Sequence, residues 1–203
     1  MRGFLRIIVG IKFVNNDKLA VNKQYIIVSN HNSHLDTVAI MSSISVKRIA
    51  RFHPVAAGDY FGQSPMRAFV TRFFVNAILI PRSRTNGEQN PIKMMSDALA
   101  KGDSLILFPE GSRGEPEKMQ HFKKGIGILL QMYPHIEYVP VFMKGLGKVL
   151  PKGERLLVPF TSYVVFGEPT CCVATNVEEI VQEIEDSIIK LGETSFVKLE
   201  KGV

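Results

Sequence analysis

His31 and Asp36 stand five residues apart in the stretch Ser29-Asn30-His31-Asn32-Ser33-His34-Leu35-Asp36, which lies between two apolar runs, Tyr25–Val28 and Leu35–Met41. A histidine whose Nδ1–H is held by a carboxylate has its tautomer fixed and its Nε2 free to take a proton. On a regular helix five residues turn about 140° beyond one full circuit, which puts the two side chains on different faces. They meet only if His31 sits in a strand-to-helix loop and Asp36 in the first helical turn. Ser33 in N-cap position, with Asp36 three residues on, supplies the signal for that helix start. Two readings fit the stretch by itself: a general base with its orienting carboxylate, or a helix cap beside a histidine bonded only to backbone.

Other chemistries fit less well. His34 stands near Asp36, but the 31-34-36 spacing matches no zinc pattern and no further ligand cluster accompanies it. Gly111-Ser112-Arg113-Gly114 is one residue short of a nucleophile elbow. Cys171 and Cys172 are adjacent and give neither a metal spacing nor a disulfide framework.

The elements that must position these residues alternate between strand and helix. Strands are expected over Gln24–Ser29, the extended part of Lys47–Ala57, Ala77–Ile80, Ser104–Phe108, Tyr138–Met143 and Arg155–Phe166. Pro140 marks the fifth of these as an edge strand or a strand end. Helices are expected after Ser33, over Met66 to about Val75, from Pro91 through Ala100, from Phe122-Lys123-Lys124-Gly125 to about Tyr133, and over Val177–Leu191. This order predicts an α/β fold, a mostly parallel central sheet flanked by helices in a single domain. The first 20 residues read as a short interfacial element or first strand, carrying Phe4, Leu5, Ile7, Ile8 and Ile11, ahead of a domain over 21–203.

The 203 residues are 45% hydrophobic, with a mean hydropathy of +0.08, and no apolar run reaches the length of a membrane-spanning helix. The net charge of +6 is concentrated. Lys47, Arg48, Arg51, Arg67, Arg72, Arg82 and Arg84 face the single acid Asp59, interleaved with Phe52, Tyr60, Phe61, Phe69, Phe73 and Phe74. Basic residues among aromatics suit nucleic acid or anionic lipid headgroups, or simply a solvated face over a core.

A second loop separates these readings. The strand ending in Phe108-Pro109-Glu110-Gly111-Ser112-Arg113, with Asn30, His31 and Asp36 upstream, resembles the glycerolipid acyltransferase family, which includes the lysophosphatidate (1-acylglycerol-3-phosphate) acyltransferases. Asn30, His31 and Asp36 meet its first block, NH-x4-D, and residues 108–113 meet F-P-E-G-[ST]-R. Val139-Pro140-Val141 meets V-P-[IV], and Phe122-Lys123-Lys124-Gly125 is similar to F-K-x-G. The block G-x-x-F-[IV]-x-R is half met: Ile80 and Arg82 fit, while Asn76 and Leu79 replace the glycine and the phenylalanine.

The resemblance implies that His31 takes the proton of an acceptor hydroxyl, which attacks an acyl thioester, with Asp36 orienting the imidazole. It implies acyl-CoA or acyl-carrier protein as co-substrate, no bound cofactor, no metal and no nucleic-acid partner. The acceptor is expected to be a lysophospholipid, 1-acylglycerol 3-phosphate first, with glycerol 3-phosphate, a lyso-aminolipid or another lysophospholipid as the alternatives. Arg82 and Arg113 are the expected phosphate ligands because a guanidinium fork matches phosphate. Lys123, Gly111 and Ser112 complete the substrate-binding set. Glu110 is counted with His31 and Asp36 in the catalytic set, acting by contact with glycerol hydroxyls or by organising the loop through backbone N–H groups. A peripheral place on the cytoplasmic side of an anionic membrane follows from the basic-aromatic segment. A non-catalytic lipid- or nucleic-acid-binding module is the competing class; it has no use for an oriented base.

Overall fold

Side-chain alternation along the central strands decides the layering. In β2 (Tyr25–Ser29), Tyr25 and Ile27 join one buried cluster, while Ile26 and Val28 join the other. The same switch occurs in β5 (Ser104–Leu107), where Ile106 faces one way and Leu105 and Leu107 the other. Every residue of both strands is buried, as expected of strands covered on both faces. The computed structural model describes residues 10–20, 22–33, 35–58, 76–81, 90–112, 118–149 and 160–200, with side chains up to residue 195.

Among the described residues seven strands form one sheet in the order β1-β7-β6-β2-β5-β3-β4. The outer members are β1 (Ile11–Val14) on one side and β3 (Phe52–Ala57) and β4 (Ile78–Ile80) on the other, with β6 (Glu137–Lys144) and β7 (Ser162–Phe166) completing it. Among the described strands only the β6–β7 pair is antiparallel. The mostly parallel α/β architecture is therefore as expected. Helix α1 (Leu35–Ser43) covers one face through Ala39, Ile40 and Met41. Helices α2 (Pro91–Ala100), α3 (Gly125–Met132) and α5 (Val177–Glu200) cover the other, through Met95, Leu99, Ile126, Leu129, Ile180, Ile184 and Ile188. A four-residue helix, α4 (Leu146–Val149), follows β6 on the α1 side. No helix of the described residues is long and apolar enough to cross a membrane.

Three local expectations need correction. Pro140 is not on an edge: β6 is flanked by β2 and β7, and Pro140 stands opposite Val28. Its ring is tolerated because that backbone position faces Gly167, just past the last residue of β7, where only the Pro140 carbonyl is used (Gly167 N–H, 2.8 Å). Gly167 is matched to it, since a Cβ there would come 2.7 Å from Pro140 Cγ. The run 47–57 is not extended throughout, because Ile49–Arg51 forms a 3₁₀ turn before β3. The last helix continues past Leu191 to Glu200. It passes Gly192 because a Cβ there would sit 2.8 Å from the Phe142 ring, so close packing on β6 requires the absence of a side chain. The helix expected over 66–75 and the strand expected over 155–159 lie outside the described residues, as do residues 1–9; Ile11–Val14 form the first strand, paired with β7.

Candidate active site

Parallel neighbours β2 and β5 end at the same edge of the sheet, so the segments after Ser29 and after Leu107 emerge side by side. The first of these begins with a clamp on β6. The carboxamide of Asn30 accepts from Met143 N–H (2.8 Å) and donates to Met143 C=O (2.9 Å), copying a backbone rung with a side chain. Asn32 Nδ2 donates to the same carbonyl at 3.1 Å, and Ser29 Oγ donates to Val141 C=O at 2.8 Å. The chain between β2 and α1 is thus fixed at several points against β6 before it reaches the helix.

Asp36, wholly buried in the first turn of α1, then gathers that chain onto one oxygen. Its Oδ2 accepts from Asn32 N–H (2.6 Å), Ser33 N–H (2.8 Å) and His31 Nδ1 (2.9 Å). Ser33 Oγ accepts from Leu35 N–H at 3.3 Å, so helix start and histidine orientation come from one device. Because a carboxylate only accepts, Nδ1 carries a proton and Nε2 is left as the basic nitrogen. The His31 side chain keeps 19% of its exposure, enough for a substrate to reach it.

The second segment holds the histidine from its other side. Glu110 Oε1 accepts His31 N–H at 2.9 Å. Glu110 thus does accept a backbone N–H, but that of the histidine loop, not one from its own turn. It is 2% exposed, and Oε2 has no partner of ordinary geometry among the described residues. Burial pushes its carboxyl above the usual range; the His31 and Gln120 backbone N–H groups and the charge of His31 oppose that push, while the Asp36 charge adds to it. A carboxyl raised in the folded state holds its proton while the unfolded chain has already lost it, so stability falls as pH rises from 4.5 to the folded value and then levels off. Glu110→Gln keeps an acceptor for His31 N–H without a proton to lose. Its urea midpoint, measured from pH 4 upward, should gain on the wild type through that window, and a gain in the opposite direction would show the carboxylate to be favoured by folding.

The turn that carries Glu110 is tight. Gly111 N–H reaches Phe108 C=O at 3.0 Å, and Gly111 has φ +74°. Lys123 N–H donates to Pro109 C=O at 2.9 Å, and the Lys123 side chain then passes over Gly111, where a Cβ would come 2.8 Å from its Cε. The exposed lysine tip could move aside for a Cβ, so it is the left-handed φ of Gly111 that calls for glycine. Lys123, Gly111 and Ser112 are exposed beside Glu110. His31, Asp36, Glu110, Gly111 and Ser112 therefore come from the segments that follow the same two strands, Lys123 joins them from just before α3 through its bond to Pro109, and Arg82, Arg113 and His34 lie outside the described residues.

Two contributors went unread in the sequence. Phe108 stacks on the His31 imidazole with ring centroids 4.3 Å apart and planes 25° from parallel. Its place in the F-P-E-G block was the available signal. Met143 contributes only main-chain atoms, which no residue type advertises. Two other histidines also pair with carboxylates, but not in this way. His53 spends Nδ1 on Asn76 C=O (2.9 Å) and Nε2 on Asp103 (3.3 Å), and His121, bound to Glu185 at 3.0 Å, has a fully exposed side chain. Burial, with the Glu183 charge second, pushes the Cys172 thiol up to about 12, so it holds its proton.

Comparison with known proteins places the chain in a family. The chain is 28% identical over 134 residues to a 1-acyl-sn-glycerol-3-phosphate acyltransferase of Chlamydomonas reinhardtii, covering 66% of this chain and 38% of that protein. It is 27% identical over 135 residues to the human 1-acyl-sn-glycerol-3-phosphate acyltransferase alpha, covering 66% and 45%. The matched stretch is thus less than half the length of either relative. In fold it is similar to the crystal structure of the 1-acyl-sn-glycerophosphate (LPA) acyltransferase from Thermotoga maritima, with a TM-score of 0.75 and 20% identity over 96% of this chain and 76% of that one. The Acyltransferase family model matches residues 10–144, from the glycine before β1 to the end of β6, and the chain belongs to that family.

Proposed function

We propose that this protein transfers a fatty acyl group from a thioester, acyl-CoA or acyl-carrier protein, to the free hydroxyl of a lysophospholipid, with 1-acylglycerol 3-phosphate giving phosphatidate. The observation that carries the reading is the His31 Nδ1–Asp36 contact of 2.9 Å, seated against Glu110 in a chain of this family. Nε2 of His31 takes the proton of the acceptor hydroxyl as its oxygen bonds to the thioester carbonyl carbon. Collapse of the tetrahedral adduct breaks the C–S bond, and the thiolate recovers the proton from the imidazolium. Asp36 supports that transient positive charge. Ester and free thiol are the products, and no acyl-enzyme forms.

The acceptor phosphate needs cations. Lys123, laid over Gly111 beside Glu110, supplies one, and Arg82 and Arg113 are assigned to the same task on the motif positions they occupy. The lipid acceptor puts the working enzyme at a membrane surface. A peripheral place on the anionic cytoplasmic leaflet is supported by the basic excess over 47–84 and by lysines set over aromatic rings, Lys12 over Tyr163 and Lys148 over Phe160.

The test is thioester release by the purified protein with long-chain acyl-CoA and, separately, acyl-carrier protein, against 1-acylglycerol 3-phosphate, glycerol 3-phosphate, lysophosphatidylethanolamine and lysophosphatidylcholine, with products read by mass spectrometry. Phosphatidate formed in preference to the other products is expected. Preference for another acceptor would move the substrate assignment, and release that no acceptor accelerates would overturn the transferase reading.

A further inference from the structure

His31 is held at three places, of which two have an evident chemical purpose. Asp36 fixes Nδ1 and Glu110 fixes the backbone N–H. The third is the Phe108 ring, lying 4.3 Å from the imidazole and 25° from parallel with it, close to an offset stack. We propose that Phe108 is a positioning residue for the base: its ring closes one face of the imidazole, so that the acceptor hydroxyl must approach Nε2 in the ring plane, and it favours the imidazolium formed when the proton arrives. The inference rests on the reading of His31 as the base.

Several observations separate this role from ordinary core packing. Phe108 is only partly buried, packing its inner side against the cluster around α1, while the imidazole it meets is partly open to solvent. A ring placed solely to fill space would not have to lie within 25° of parallel to the imidazole that Asp36 orients. The placement is also independent of hydrogen bonding, because Nδ1 is already satisfied and stacking adds a restraint that Asp36 lacks. A single contact at Nδ1 leaves the ring free to swing about the Nδ1···Oδ2 line; a stacked neighbour removes that swing. The aromatic face carries negative quadrupole density, so the charged ring is held more tightly than the neutral one. The charged groups that face the imidazole, Asp36 and Glu110, act on its edge and its backbone, leaving the face to Phe108. Phe108 further couples the two loops, since its own carbonyl closes the turn that presents Glu110 and Gly111.

The proposal is tested by Phe108→Leu and Phe108→Tyr in the full chain, with 1-acylglycerol 3-phosphate and acyl-CoA. Leucine keeps apolar bulk without a face; tyrosine keeps the face. Misplacement of a reacting group by about 1 Å costs up to roughly a hundredfold. Phe108→Leu should therefore lose about tenfold to a hundredfold in kcat with KM for both substrates within about twofold, and Phe108→Tyr should recover most of it. The imidazole C–H resonances of His31 should carry an upfield ring-current shift in the wild type and in Phe108→Tyr that vanishes in Phe108→Leu. Undiminished kcat in Phe108→Leu, or an equal loss in both variants, would overturn the role, as would a wild-type spectrum without the ring-current shift. The spectrum needs no substrate. A wild type that shows the shift but transfers no acyl group would instead overturn the transferase reading, and with it Phe108's part in that reaction.

Discussion

His31→Ala should abolish measurable acyl transfer while leaving the protein folded. A positioned general base contributes roughly 10²- to 10⁴-fold; among the other described histidines that meet a carboxylate, His53 has both ring nitrogens engaged, and His121, though its Nδ1 rests on the buried Glu185, has a fully exposed side chain. The lost rate should appear in kcat, because Nε2 meets the acceptor proton only as the new bond forms. Stability should change little. The imidazole is partly exposed, and its removal leaves Asp36 Oδ2 with two backbone donors. The thermal midpoint and the thioester-release rate of the same sample, measured side by side, check this. Full activity would remove His31 from the reaction.

Asp36 divides into two roles that two substitutions separate. Asp36→Ala strips the partner from His31 Nδ1 and from the backbone N–H groups of Asn32 and Ser33, deep in the protein. Each orphaned donor costs about 1–3 kcal/mol, so a loss of about 3 kcal/mol or more is expected, together with most of the activity. Asp36→Asn behaves differently. Its carboxamide oxygen can take the place of Oδ2 and keep the three donors, and its NH₂ then replaces Oδ1, which has no partner among the described residues. Orientation survives and the negative charge does not. A drop in kcat of roughly a hundredfold or more, with a fold closer to wild type than that of the alanine variant, would show that the carboxylate acts on His31 beyond capping the helix, through its charge or the tautomer it fixes, as the orienting acid of a catalytic triad does. Wild-type activity in Asp36→Asn would reduce Asp36 to a helix cap. Urea denaturation alongside single-turnover rates distinguishes these outcomes.

Much of the site was legible because it is built from residue types whose chemistry is local. His31 and Asp36 share one loop and one helix start, and the capping pattern Ser33-x-x-Asp36 placed that start. The alternating buried runs Tyr25–Ser29 and Ser104–Leu107 gave the strands that deliver both loops to one edge. What stayed hidden depends on strand order. That Asn30 and Asn32 grip Met143, more than a hundred positions on, follows from β6 lying beside β2, which no periodicity within either strand reveals. Pro140 was read as an edge residue for the same reason. Its missing N–H costs nothing where β7 has already ended, and the register of a neighbouring strand is not written in the proline. Glu110 was marked as a site residue, but its partner was not, because a carboxylate that binds the backbone of another loop leaves no trace in the spacing of its own.

The Asn30 carboxamide, standing in for a backbone rung on Met143, has a consequence for how the protein comes to work at all. The groups that set His31 come from residues 30–36, 108–110 and 143, so the base has no assembled geometry until three strands distant in sequence have docked with one another. Loops of that span close late and at an entropic cost that only the finished sheet offsets. A nascent or partly unfolded chain therefore carries the right side chains without their arrangement. Competence for the proposed transfer requires β2, β5 and β6 to be docked, so that thioester reactivity would report on the pairing of those three strands.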